Sequence, residues 1–110
     1  MKKLPLEVQD RKLTEYLLIY QPKYDKSIFL SLAGYTPKNW QILKQDILEA
    51  VEESDFSKPD KTQWGKRFTI GVEWAAPNGH LLKVITIWQQ DEGAEVIRFV
   101  TLYPDKSQEN

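Results

Sequence analysis

HLLKVITIWQQDEGAEVIRFVTLYP, residues 80–104, decides how this chain folds. Valine, isoleucine, threonine and aromatic residues crowd both halves, which is the composition of β-strands. Between them Asp91-Glu92-Gly93-Ala94 has the polar, glycine-containing make-up of a turn. The first half, residues 81–90, is apolar at odd and even positions alike, which predicts the central strand of the sheet. The second half, residues 96–103, is ended by Pro104, and one charge, Arg98, interrupts its apolar run. Upstream, over residues 64–76, Phe68, Ile70, Val72 and Trp74 alternate with Thr69, Gly71 and Glu73, the period of a half-exposed strand. Pro77-Asn78-Gly79 joins that strand to the central one, and Asn-Gly is a strong hairpin signal because both residues accept positive φ.

Register then assigns the faces. A two-residue Asn78-Gly79 turn sets Pro77 opposite His80, Val72 opposite Ile85 and Ile70 opposite Ile87. Phe68, Ile70, Val72 and Trp74 share one face with Leu81, Ile85 and Ile87, and helices should cover this aliphatic side. The other face carries Glu73, Leu82, Val84, Thr86 and Trp88. For the last strand, the register that keeps Arg98 out of the core sets it opposite Trp88, since an unpaired buried charge is costly. Ile97, Phe99, Thr101 and Tyr103 then point toward the helices. Arg98 either pairs with Glu73 or Asp91, stacks on Trp88, or presents its planar fork to an anion.

The helices precede the sheet. Leu13, Tyr16 and Leu17 predict a short helix over residues 10–19, ended before Pro22. Residues 26–33 (KSIFLSLA) suit a second, with Ile28, Leu32 and Phe29 facing the core and Gly34 as its stop. Thr36-Pro37 opens a third, with Thr36 as cap. Its stripe is Trp40, Leu43, Ile47, Leu48 and Val51, and it runs to about Glu53. Residues 55–63 (DFSKPDKTQ) form a polar loop, and residues 1–5 and 105–110 fray. The fold class expected is α+β, one domain over 1–110 with its core at about 10–104. N-terminal helices lie on one face of a three- to four-stranded antiparallel sheet.

Composition narrows the function. The 110 residues are 41% hydrophobic and 28% charged, with no apolar run of membrane-spanning length, so no membrane partner and a cytoplasmic location are expected. One histidine and no cysteine exclude multi-histidine and thiolate metal sites within one chain, and no metal or other cofactor is expected. The net charge is −1 and the isoelectric point about 5.8, so a nucleic-acid partner requires a local basic patch. Lys23, Lys26 and Lys38 lie in one region, and Lys61, Lys66 and Arg67 in another. Asp46, Glu49, Glu52, Glu53 and Asp55 form an acidic block at the end of the third helix, either a solvated face or a contact surface. His80, the only side chain that ordinarily titrates near neutral pH, is a general acid/base candidate, though its place beside a turn equally suits an inert exposed residue.

Residues 13–18 (LTEYLL), Lys26-Ser27 with Phe29, Gly34-Tyr35, Trp40, Thr86-Ile87-Trp88 and residues 98–104 (RFVTLYP) together form a recognisable pattern over residues 12–104. It resembles a family of small bacterial proteins of unassigned function, frequent in cyanobacteria, whose most specific feature is a closing RxVTxYP strand. Ile97 stands where that family often has proline, and Asn78-Gly79-His80 where its turn tends to read Asp-Gly-Arg. The order of elements also resembles, more distantly, the barnase–EndoU–colicin–RelE superfamily of metal-independent ribonucleases, commonly toxins paired with an antitoxin. That resemblance implies an RNA substrate whose 2′-hydroxyl attacks the phosphate, and a cognate antitoxin protein as partner. It implies that Arg98 stabilises the phosphate with help from Lys26, that Thr86 or Thr101 hydrogen-bonds it, and that Tyr103 takes part in proton transfer. The register above puts Thr101 and Tyr103 on the face opposite Arg98, in conflict with a common site. Trp88 is either packing or a base-stacking platform, with Glu73 beside it. The alternative is a non-enzymatic protein-interaction domain that uses the open sheet face or the acidic helix end.

Overall fold

The computed structural model describes residues 5–106. Its sheet has five strands, β1 (Leu6–Glu7), β2 (Asp60–Thr62), β3 (Gly65–Ala75), β4 (Leu81–Asp91) and β5 (Ile97–Pro104), in the order β1-β5-β4-β3-β2. The class is α+β, and β4 is central as its two-sided apolar character predicts. β3, β4 and β5 pair antiparallel, β2 folds back antiparallel on β3, and β1 adds to β5 in parallel. The sheet is therefore mixed, not purely antiparallel. β1 and β2 fall where an end and a polar loop were expected, because two or three residues are too few to show alternation. The fraying expected of residues 1–5 and 105–110 falls mostly outside the described residues. Pro5 and Asp105 are held, with the Pro5 carbonyl accepting from the Ile97 amide and the Asp105 amide donating to the Lys83 carbonyl, both at 3.0 Å.

Three helical segments cover one face. Lys12–Leu17 forms a single π-helical turn that buries Leu13 and Leu17 and leaves Tyr16 outside. α1 (Ser27–Leu32) stops at Gly34, whose φ of +101° only glycine adopts without strain. Its buried residue is Leu30, not Ile28 or Leu32; Leu32 is 70% exposed. α2 (Trp40–Ala50) is entered through a 3₁₀ turn, Pro37–Asn39, capped by Thr36 as its side chain predicts, and Leu43 and Ile47 face the core. α2 ends at Ala50, short of the expected Glu53; of the acidic block in and after its last turns, Asp55 accepts from the Glu52 amide at 2.8 Å, and Glu49, Glu52 and Glu53 are exposed.

The β3–β4 register is one residue away from the expected one. Val72 faces Val84, Ile70 faces Thr86 and Phe68 faces Trp88. The connecting loop has three residues, Pro77, Asn78 and Gly79, closed by the Ala76 amide donating to the His80 carbonyl at 2.8 Å. Only Gly79 is left-handed, at φ +88°, so the turn is not the mirror-image type that Asn-Gly favours. Pro77, with its φ fixed near −65°, presets an ordinary turn instead. A one-residue slip turns every side chain of a strand to the other face. Leu82, Val84, Thr86 and Trp88 therefore pack under the helices, while Leu81, Ile85 and Ile87 share the open face with Glu73. Burial of Thr86 and Trp88 costs no orphaned polar atom: Trp88 Nε1 donates to Thr86 Oγ1 at 2.9 Å, and that hydroxyl donates to the Ile70 carbonyl at 2.8 Å. Phe56 and Phe99 meet the Trp88 ring edge to face.

A second polar knot ties the helices to the sheet. Trp74 Nε1 donates to the Tyr35 hydroxyl at 2.6 Å, and that hydroxyl donates to the Asp46 carboxylate. Burial first, and then the bond to Asp46, push the Tyr35 hydroxyl well above its ordinary pKa, which favours the protonated form that donates to Asp46. Tyr35→Phe should leave both neighbours without their partner and cost about 1–3 kcal/mol. A shift of the urea midpoint at unchanged slope would measure it. A midpoint equal to that of the unaltered chain would show that solvent replaces the hydroxyl.

Candidate functional site

The site lies at the outer edge of β5. β1 pairs only with Ile97 and Arg98, so among the described residues no strand covers that edge further along. Pairing with β4 slips at this point: Trp88 faces Phe99, but Ile87 faces Thr101, leaving Val100 as an extra residue. Such a bulge reverses the parity of all that follows. Arg98, Thr101 and Tyr103 consequently stand opposite Gln89, Ile87 and Ile85, on one face of the sheet. The expectation that Thr101 and Tyr103 point toward the helices is corrected, and the conflict with Arg98 disappears.

Between this edge and the π-helical turn opens a cleft of about 310 Å³. Its walls carry Lys12, Lys23 and Lys26, with Tyr16, Tyr24 and the hydroxyl-bearing Thr101. Lys12 Nζ lies 6.0 Å from the Tyr16 ring centroid and Lys26 Nζ 5.9 Å from that of Tyr24. Among the described residues no carboxylate pairs with any of the three lysines. Nearby acids are committed elsewhere: Glu15 to Arg11 and Asp10 to Lys44, both at 2.7 Å. Asp25 is turned inward as a brace. Its Oδ1 accepts from the Gln21 amide at 3.0 Å and from the Ser27 hydroxyl at 2.8 Å, and its Oδ2 from the Ile28 amide at 3.3 Å. Desolvation would raise the Asp25 pKa; the bonds from Ser27, Gln21 and Ile28 outweigh it and hold the carboxyl below its ordinary range. The braced loop fixes Tyr24 at φ +57°. That left-handed conformation costs a bulky residue about 1–2 kcal/mol.

Of the residues singled out from the sequence, Lys26 and Thr101 meet in this cleft. Arg98 and Tyr103 lie on the adjoining sheet face but outside its lining. Arg98 is 36% exposed and forked onto Asp91, with Nε donating to Oδ2 at 3.1 Å and an η nitrogen to Oδ1 at 3.2 Å. The hydrogen bond from Arg98 holds the Asp91 carboxyl below its ordinary range. Glu73 is on the open face, 3.9 Å from Lys83. His80 is exposed at the β3–β4 turn, and its strand position is roughly 20 Å along β4 from the residue facing Thr101. Thr86 and Trp88 are fully buried core residues, which removes them from any ligand-facing surface and corrects their expected place on the open face. Of the basic region Lys23, Lys26 and Lys38, the first two line the cleft and Lys38 does not. Lys12, Tyr16 and Tyr24 had no part in the expected site; the cue for Tyr24 was present in KYDK, residues 23–26, where two lysines bracket a tyrosine.

The family model described as Domain of unknown function (DUF6883) matches residues 4–106. The chain belongs to the DUF6883 family. The match runs from β1 to the end of β5, so the braced loop and the cleft are both parts of the DUF6883 domain. Neither a curated protein nor a solved structure matches this DUF6883 chain significantly. Among its described residues no helix is long and apolar enough to cross a membrane, and no group of three or more His, Cys, Asp or Glu side chains is placed to hold a metal ion.

Proposed function

We propose that this DUF6883 domain binds RNA through its phosphate backbone and cleaves it without a metal, as a cytoplasmic ribonuclease-type toxin held in check by an antitoxin protein. The observation that carries the reading is the cleft of three lysines with no acidic partner among the described residues, in a chain whose net charge is −1. A local basic patch is what an otherwise acidic protein needs to hold a polyanion. Phosphodiester transfer asks little of the protein beyond positioned positive charge, because the RNA supplies its own nucleophile. The 2′-oxygen attacks phosphorus and the 5′-oxygen leaves. The 2′-hydroxyl gives up its proton and the departing oxygen receives one, yielding a 2′,3′-cyclic phosphate and a 5′-hydroxyl. Lys12, Lys23 and Lys26 would stabilise the charge on the pentacoordinate phosphate, Thr101 would hydrogen-bond a non-bridging oxygen, and Tyr16 or Tyr103 would serve proton transfer. Arg98, released from Asp91, would meet the next phosphate along the strand.

The test is titration of a labelled RNA oligonucleotide with the purified chain in the presence of a chelator, followed over salt concentration and by gel. Four cationic contacts to a single strand, from the three lysines and Arg98, predict a log–log salt slope near −3, at about −0.7 per contact. Cyclic-phosphate products at a rate above background would establish cleavage. No saturable binding at low salt would end the RNA reading. A protein-interaction domain is the second reading, favoured by Leu81, which is 59% exposed, and by Tyr103, both on the sheet face turned away from the described helices. A partner that binds tightly while RNA does not would establish it.

A further inference from the structure

Tyr24 is 85% exposed and left-handed at φ +57°. Its ring contributes nothing to the core, and a glycine or asparagine would satisfy the same backbone more comfortably. The loop nevertheless holds an aromatic residue there, braced by four hydrogen bonds to the Asp25 carboxylate from Gln21, Ser27 and Ile28. The brace fixes the ring at the rim of a cleft whose lysines await an anion, with Lys26 Nζ 5.9 Å from the ring centroid. An anion beside a fixed, solvent-exposed aromatic face describes a nucleotide unit, phosphate and base together. We infer that Tyr24 is a stacking platform for an unpaired base, which makes the ligand of the cleft single-stranded; this rests on the RNA reading above. A duplex hides its base faces in its own stack and offers this ring nothing. Lys26 draws to the ring through its charge and reaches the phosphate on the 5′ or 3′ side of the stacked base, so ring and ammonium read adjoining parts of one residue.

The experiment compares Tyr24→Ala, Tyr24→Asn, Tyr24→Phe and Tyr24→Trp with the unaltered chain. The probes are a single-stranded RNA, a duplex RNA of equal length and inorganic polyphosphate. Y24N accepts the left-handed backbone and so separates loss of the ring from loss of the loop. Y24A and Y24N are expected to weaken single-stranded RNA binding about 10-fold or more, the worth of one base–aromatic stack. Polyphosphate affinity should stay within twofold. Y24F should bind like the unaltered chain, and Y24W should lose fluorescence as single-stranded RNA is added. The inference is overturned if single-stranded RNA affinity survives in both Y24A and Y24N, or if polyphosphate affinity falls in parallel. An unaltered chain that binds RNA, but duplex as tightly as single strand and with no effect of Y24A, sinks this inference alone. An unaltered chain that binds polyphosphate and neither RNA sinks the RNA reading as well.

Discussion

Trp88→Ala is expected to lower the free energy of unfolding by roughly 3–5 kcal/mol, the cost of emptying a fully packed aromatic site. Trp88 is 0% exposed and lies between Phe56 and Phe99, with centroids at 5.5 and 5.4 Å. Against a total stability of about 5–15 kcal/mol for a domain of this size, such a loss leaves a marginal fold or none. Trp88→Phe separates the ring from its polar atom. It keeps the edge-to-face contacts and removes one donor, while the Thr86 hydroxyl retains its bond to the Ile70 carbonyl. The Phe variant should therefore fold, with a smaller loss. Chemical denaturation read by circular dichroism measures both. The alternative register, with Trp88 on the open face, predicts a change within about 0.5 kcal/mol for W88A, as for ordinary surface substitutions. A small change would thus reject the packing described above.

Composition and alternation made the sheet's central three strands legible, and Thr36-Pro37 marked the entry to α2. The faces of β4 were harder to read because both are apolar: Leu82, Val84, Thr86 and Trp88 compete with Leu81, Ile85 and Ile87. Large aliphatic content favours the second set. The first set wins because its two polar atoms satisfy each other and because Pro77 sits in the turn. Proline lacks a ladder donor and prefers the first central position of an ordinary turn, so Pro77 held the missing information. α1 forms where expected and Phe29 packs on the core, but Ile28 and Leu32 turn outward for a related reason: Ile28, Phe29, Leu30 and Leu32 crowd six residues, and a helix that short has no period long enough to choose among them.

The site was half legible for topological reasons. Lys23, Tyr24 and Lys26 are neighbours in sequence, but Lys12 and Thr101 join them only once the π-helical turn packs beside β5. The bulge at Val100 has no residue signature, since valine is an ordinary strand former. Without it strict alternation separates Arg98 from Thr101 and Tyr103; with it all three share a face. Arg98 is a lone charge in an apolar run, yet it is less available than Lys12, Lys23 or Lys26 because it is forked onto Asp91.

The lysines carry the second large effect. Each phosphate contact to a single strand is worth about tenfold in affinity at 50 mM salt through counterion release, since log K changes by about 0.7 per tenfold change in salt. Replacing Lys12, Lys23 and Lys26 together by Ala should therefore weaken RNA binding by roughly two to three orders of magnitude and reduce the salt slope by about 2, leaving the share of Arg98. Cleavage should fall with binding. The fold should be spared, because none of the three has an ion pair to lose among the described residues. Removing three positive charges takes the net charge from −1 to −4 (−1 − 3), and a more acidic protein repels RNA everywhere. Lys58→Ala, Lys61→Ala and Lys66→Ala combined reach the same net charge at exposed positions on and before the β2–β3 hairpin. That control should change affinity by only a few-fold, since it acts through the screened general field. Equal losses in the two triple variants would mean that the chain senses overall charge and that the cleft beside β5 holds nothing; a loss confined to the cleft variant requires the phosphate to sit among Lys12, Lys23 and Lys26.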